Sequence, residues 1–295
     1  MEYILMLISI ILSVVNACLL RGMAYKKQGN VYSPFLFNAG VNIVWLVILF
    51  TSHCIVKDAF TPETICYGIA YGVILFAFLY FKTRSMAEGP VALSTLIGSC
   101  AFVIATVFGV IYAKESINAF QILGMLMLLV SLFLCVNPKR SKQKLTVKWM
   151  VCAFGFFLSG GFVGILYKLF GKSAASGNID AMILIASAVS MVLFAVFGVV
   201  KEGKNGVKAP DRATVVFMIF CGIAGCVYIR MNVTLSALIP SAVFFPVSNG
   251  GMLILSTIAG RMFFGEKLSK TQIAGIIIGC IAVVITGCGQ HLILR

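Results

Sequence analysis

Hydrophobic residues along this chain fall in long blocks rather than at alternating positions. Ten blocks stand out, at residues 4–20, 35–50, 65–81, 91–112, 120–136, 149–169, 179–199, 214–228, 236–263 and 272–286. In hydrocarbon every backbone N–H and C=O must be satisfied within the segment or within a closed barrel. Blocks this long, with no period of two, predict helices and not barrel strands. Several are shorter than the ~20 residues that cross a bilayer, so their ends are expected to run into the polar flanks. The pattern predicts an all-α integral membrane protein with ten transmembrane helices.

The breaks between blocks carry turn chemistry. Pro34 suits a helix start, while Pro62 and Pro138 are expected in connections. Gly29-Asn30, Ser176-Gly177-Asn178 and Gly203-Lys204-Asn205-Gly206 read as turns. The weakest breaks are residues 82–89 and 231–234, the latter placed between the eighth and ninth spans. The longest hydrophilic stretch, Asn137 to Lys148, holds five basic residues and no acid. Residues 138–148 are therefore expected to be a basic linker between two five-helix halves, 1–137 and 149–295.

Composition narrows the class. The chain is 61% hydrophobic and 11% charged, with a mean hydropathy of +1.06, whereas soluble domains average roughly 25% charged residues. That excludes a soluble enzyme, a disordered chain and a small disulfide-stapled domain. The net charge of +14 sits mainly in short connections, and no basic stretch interleaved with aromatics offers a nucleic-acid surface. Ten cysteines lie mostly inside apolar blocks, and Cys221-x4-Cys226 lacks metal-ligand spacing. His53 and His291 stand near segment ends, so no metal, disulfide or cofactor is expected. The first block lacks a basic leader and a clear cleavage pattern, and reads as a retained span.

A repeat runs through the blocks. Thr106-x2-Gly109-x5-Glu115-x5-Gln121-x2-Gly124 recurs as Thr257-x2-Gly260-x5-Glu266-x5-Gln272-x2-Gly275. Helical periodicity aligns apolar residues but does not align a Thr, two Gly, a Glu and a Gln. The glycines are expected to let helices approach closely. Each Glu, in an interfacial turn, is expected to cap the helix that follows it. Five spans per half, an odd number, would insert the halves in opposite orientation, as in secondary transporters.

The segment from Pro240 to Thr286, above all Phe264-Gly-Glu-Lys-Leu-Ser-Lys-Thr-Gln-Ile-Ala-Gly-Ile-Ile-Ile-Gly279, resembles the ten-helix EamA-like branch of the drug/metabolite transporter superfamily. The first half is looser, with Ala113 where the family usually has glycine. The resemblance implies two inverted five-helix repeats around a central cavity and carriage of a small organic solute, such as a metabolite, an amino acid or a drug-like compound. The four-helix members use a membrane-embedded glutamate for proton coupling. This first span has no acid at its centre, nor does any other span, so that mechanism is not expected here.

A solute site must then rest on neutral groups. Candidates are Asn16, Asn38, Asn42, Ser99, Ser159, Ser248 and Asn249, with Tyr71 and Tyr228 as aromatic walls and Arg230 as an attractor of anions. Pro240 and Pro246, six residues apart, are expected to free carbonyls within the ninth span, close to Ser248 and Asn249. Interhelical hydrogen bonding by the Asn residues, and snorkelling of Lys168 and Arg230 to the headgroups, are the competing accounts.

Alternate connections hold 17 of the 23 basic residues, which by the positive-inside rule puts both termini outside; the family resemblance implies cytoplasmic termini. The expected protein is a multi-pass plasma-membrane carrier, monomeric or homodimeric, in contact with lipid and a small solute. The competing classes are a non-transporting receptor or scaffold and, behind it, a membrane enzyme. Scattered acids and isolated histidines argue against the enzyme.

Overall fold

Most helices here begin where a side chain can accept from the first free N–H groups. In the computed structural model, which describes residues 2–26, 33–89, 91–112, 114–135, 146–202, 209–265 and 269–291, eleven helices follow one another. They are α1 (Glu2–Lys26), α2 (Pro34–Val56), α3 (Pro62–Glu88), α4 (Val91–Ser99), α5 (Phe102–Tyr112), α6 (Ala119–Cys135), α7 (Val147–Lys172), α8 (Ile179–Glu202), α9 (Arg212–Leu238), α10 (Ser241–Phe264) and α11 (Lys270–His291). Thr61 caps α3, Thr146 caps α7 and Asp211 caps α9, each accepting from the backbone N–H three residues on. Among the described residues nine segments are long and apolar enough to cross a membrane, α4 and α5 counting as one, and α6 is a shorter apolar helix of 17 residues.

The differences from the sequence reading lie at the block edges. The fourth span is broken: at Cys100 and Ala101 the helix tightens, with Ala101 N–H donating to Gly98 O (3.2 Å) and Ile104 N–H to Ala101 O (3.1 Å). Residues 231–234 are no connection but the interior of α9, and the ninth span starts at Ser241 instead of Ser236. The chain breaks at Ile239 and Pro240, where an apolar stretch hides the gap. Pro240 precedes α10, so only Pro246 interrupts it. Pro62 opens α3 rather than sitting in a connection, and residues 82–88 are the last turns of α3. Pro138 and the linker through residue 145 lie outside the described residues.

Large apolar side chains such as Val47, Phe133, Val151 and Val284 point outward, as lipid contact requires, while Tyr71, Leu128, Phe170 and Phe194 are buried. α6 and α11 pack along each other, and α2 packs on α8. α3 rests on α7 and α8, while α9 rests on α1 and α2; α5 meets α7, and α10 meets α1. Exchanging α1 with α7, α2 with α8, α3 with α9, α5 with α10 and α6 with α11 leaves these pairs unchanged, whereas the packing of α10 on α11 and of α7 on α9 has no such counterpart among the described residues. Glycines make the closest approaches: a methyl group at Gly124 would overlap Thr286 Oγ1, and one at Gly275 would lie 2.9 Å from the Cys135 backbone nitrogen.

Candidate functional site

The turns at residues 57–61, 114–118, 173–178 and 239–240 gather at one end of the bundle, here the capped end. Asp58 Oδ2 accepts from the backbone N–H of Asp180 (2.9 Å) and of Ala181 (3.4 Å), so a carboxylate of the first half completes the start of α8. Ala59 N–H donates to Asn178 Oδ1 (2.9 Å). The Asp180 carboxylate is 1% exposed; it accepts from Ser52 Oγ (2.6 Å) and pairs with Arg230 Nε (2.9 Å). Arg230 is the sequence candidate for attracting an anion, with snorkelling to the headgroups as the competing account. Its side chain is 48% exposed, and it neutralises Asp180.

A second charged pair lies where α9 gives way to α10. Lys168 Nζ is 2.5 Å from Glu115 Oε1 and donates to Ser236 O (3.0 Å) and Ile239 O (3.3 Å). Glu115 Oε2 accepts from Ser241 N–H (2.7 Å). The cation therefore sits on the carbonyl end of α9 and the anion on the amide end of α10, each matching the local helix dipole. Lys168 does not snorkel: its side chain is 3% exposed. Glu115 caps a helix, but α10 of the other half and not α6, which follows it.

The repeat residues divide their work. Thr106 Oγ1 donates to Ser241 O (3.4 Å), and Gly109 faces Ser241, so Thr106, Gly109 and Glu115 converge on one turn. Thr257 instead donates back to Leu253 O (2.8 Å) within α10, and Gly260 O accepts from the Gly265 N–H that ends that helix. Glu266 lies outside the described residues. Gln121 and Gln272 form capping boxes. Asn118 N–H donates to Gln121 Oε1 (3.1 Å) and Gln121 N–H to Asn118 Oδ1 (2.8 Å). Ser269 N–H donates to Gln272 Oε1 (2.9 Å) and Gln272 N–H to Ser269 Oγ (3.2 Å). Sequence reading missed these boxes, although Asn118-x-x-Gln121 and Ser269-x-x-Gln272 spell them.

Several solute candidates have partners within the protein. Asn42 accepts from Ser190 Oγ (2.7 Å) and donates to Asn38 O (2.8 Å), tying α2 to α8. Asn38 and Asn249 donate to carbonyls one turn back on their own helices, Pro34 O (2.8 Å) and Phe245 O (3.0 Å). Ser159 does likewise with Gly155 O (2.7 Å). The Tyr71 and Tyr167 hydroxyls share a buried hydrogen bond (2.8 Å). Tyr228 is partly buried and packs against the same aromatic cluster, and Ser99 is partly buried at the end of α4.

Other polar atoms are buried without a partner among the described residues: Asn16 Oδ1, Trp45 Nε1 and Ser248 Oγ. Asn16 and Trp45 meet at Gly225, where a methyl group would lie 3.3 Å from Trp45 Nε1 and 3.4 Å from Asn16 Nδ2. Trp45 was not among the sequence candidates, because nothing in an apolar run marks which tryptophan turns inward. Among the described residues the cysteines are free thiols, and no three His, Cys, Asp or Glu side chains cluster as metal ligands do.

No family model and no curated protein matches this sequence. Solved structures do match its fold. One, described only as the crystal structure of a protein, has a TM-score of 0.78 at 12% identity over 97% of this chain and 98% of that one. The chain is a polytopic, all-α helical membrane protein.

Proposed function

We propose that the chain is a secondary transporter of the drug/metabolite type. Its two halves, residues 1–137 and 149–295, form inverted five-helix repeats that rock about a central site. They carry a small organic solute across the plasma membrane. The observation that supports this reading most is the exchange of helix partners between the halves, in which α3 on α7 and α8 is answered by α9 on α1 and α2. Two bundles related in this way can open at either end by one rigid motion.

The interior supports it too. The Asn16 side chain and Trp45 Nε1 meet at Gly225, and Asn16 Oδ1 and Trp45 Nε1, an acceptor and a donor, have no bond among the described residues to lose when a solute arrives. Span four is broken and α10 contains Pro246, so both of these facing elements have weakened backbone ladders. The test is solute counterflow in proteoliposomes over a broad metabolite panel, with Asn16→Ala and Trp45→Phe alongside. The expected result is saturable flux of at least one solute, with an altered KM in both variants. A panel with neither flux nor binding would turn the reading to a non-transporting receptor or scaffold.

A further inference from the structure

The transporter reading leaves the Glu115–Lys168 pair without a task. We propose that the α9–α10 junction is an anion-binding site, filled in this conformation by the Glu115 carboxylate, and that a carboxylate-bearing solute takes Glu115's place during transport. The solute half of this statement rests on the transporter reading; the site half rests on geometry.

Two donors hold the Glu115 carboxylate and a third lies beside it. Lys168 Nζ lies 2.5 Å from Oε1, and Ser241 N–H donates to Oε2 at 2.7 Å. The third is the Ser241 hydroxyl, fully buried and without a partner among the described residues. A methyl group at Gly109 would overlap that hydroxyl and lie 3.1 Å from Glu115 Oε2, so hydroxyl and carboxylate flank the same glycine. The site thus holds one donor more than its occupant uses. A two-oxygen planar anion suits it, one oxygen on the ammonium and the other on the amide and hydroxyl.

The anion is the movable part. Lys168 is held in the interior, where its other bonds go to two neutral carbonyls that cannot balance its charge. Glu115 is carried on a turn, its side chain 14% exposed. The preceding Lys114 has φ 51°, an uncommon conformation for a residue with a side chain. When the capped end opens and the turn withdraws, Lys168 and Ser241 stay behind as a site that requires a negative charge. A solute carboxylate meets that requirement, and Glu115 returns when the solute leaves.

The test is chemical rescue in the purified full-length protein. Glu115→Ala should unfold at a lower temperature than the parent, and formate should raise its midpoint. The rise should be on the order of 3 °C for each tenfold increase above the formate dissociation constant. The parent and the Glu115→Ala/Lys168→Met double variant should not respond. If Glu115→Ala does not fold, it is prepared with formate throughout, and recovery of folded protein in formate but not in equimolar sodium chloride is the readout. Formate no better than equimolar sodium chloride overturns the site; inorganic phosphate as effective as formate overturns the carboxylate assignment. In proteoliposomes, flux of carboxylate solutes should fall at least tenfold in Lys168→Met. Carriage restricted to solutes without a carboxylate overturns the solute half. Rescue by formate with no flux of any solute removes the transporter reading and leaves the site standing.

Discussion

Lys168 is buried inside the bundle, and among the described residues only the Glu115 carboxylate answers its charge. A buried charge stripped of its partner costs about 3–5 kcal/mol, whereas removing both charges together costs much less. A double-mutant cycle of Glu115→Gln and Lys168→Met, read by thermal unfolding, should therefore give a coupling energy of about 2–3 kcal/mol. A coupling near zero would mean the pair is not formed. Sequence alone places Lys168 near the end of an apolar block, where a lysine ordinarily reaches out to the headgroups. Its inward turn depends on carbonyls of α9 and a carboxylate of another loop, and chain position does not encode them. Close glycine contacts follow the same logic. Gly124→Ala would push a methyl group into Thr286 Oγ1 and should cost about 2 kcal/mol, with Thr286→Ala recovering part of the loss. Gly177→Ala, with open space around it, tests the cost of the substitution without a clash.

At the scale of the helices, ends rather than middles decide what was legible. All ten blocks became helical, because apolar length in lipid leaves the backbone no alternative. Among the described residues nine hold a segment long and apolar enough to cross a membrane, while the fifth is the 17-residue α6. The α9–α10 boundary was misplaced because hydropathy does not change where α9 stops and α10 begins. The break is made by Pro240 together with two charged side chains that come from elsewhere in the chain. The split of the fourth span at Cys100 was invisible for the same reason. The capping boxes could have been read from sequence, and they carry a prediction. Asn118→Ala and Ser269→Ala should each lower stability by about 1 kcal/mol, measured as denaturant midpoints in detergent. Gln272→Ala should cost more than Gln121→Ala, since Gln272 Nε2 also donates to Cys135 O (3.1 Å) and so joins α11 to α6.

Across the whole molecule, the most extensive packing joins one half to the other: α6 on α11, α2 on α8, α3 on α7 and α9 on α1. A chain cut within residues 138–145 and expressed as two pieces should therefore copurify as an equimolar complex, while either piece alone should be degraded. Pieces that are stable singly would mean that each half has a core of its own. Of the two candidate solute groups, Asn16 is legible in the sequence and Trp45 is not: Asn16 on α1 and Trp45 on α2 come together because α9 places Gly225 against both. The capped end adds a direction in time. Asp58 and Glu115, both in the first half, complete the starts of α8 and α10, both in the second. A ribosome delivers the carboxylates before the helices that need them, so each helix start meets its cap as it emerges. A circularly permuted chain, synthesised second half first, would leave those N–H groups uncapped in the bilayer until the rest arrived, and biogenesis should slow.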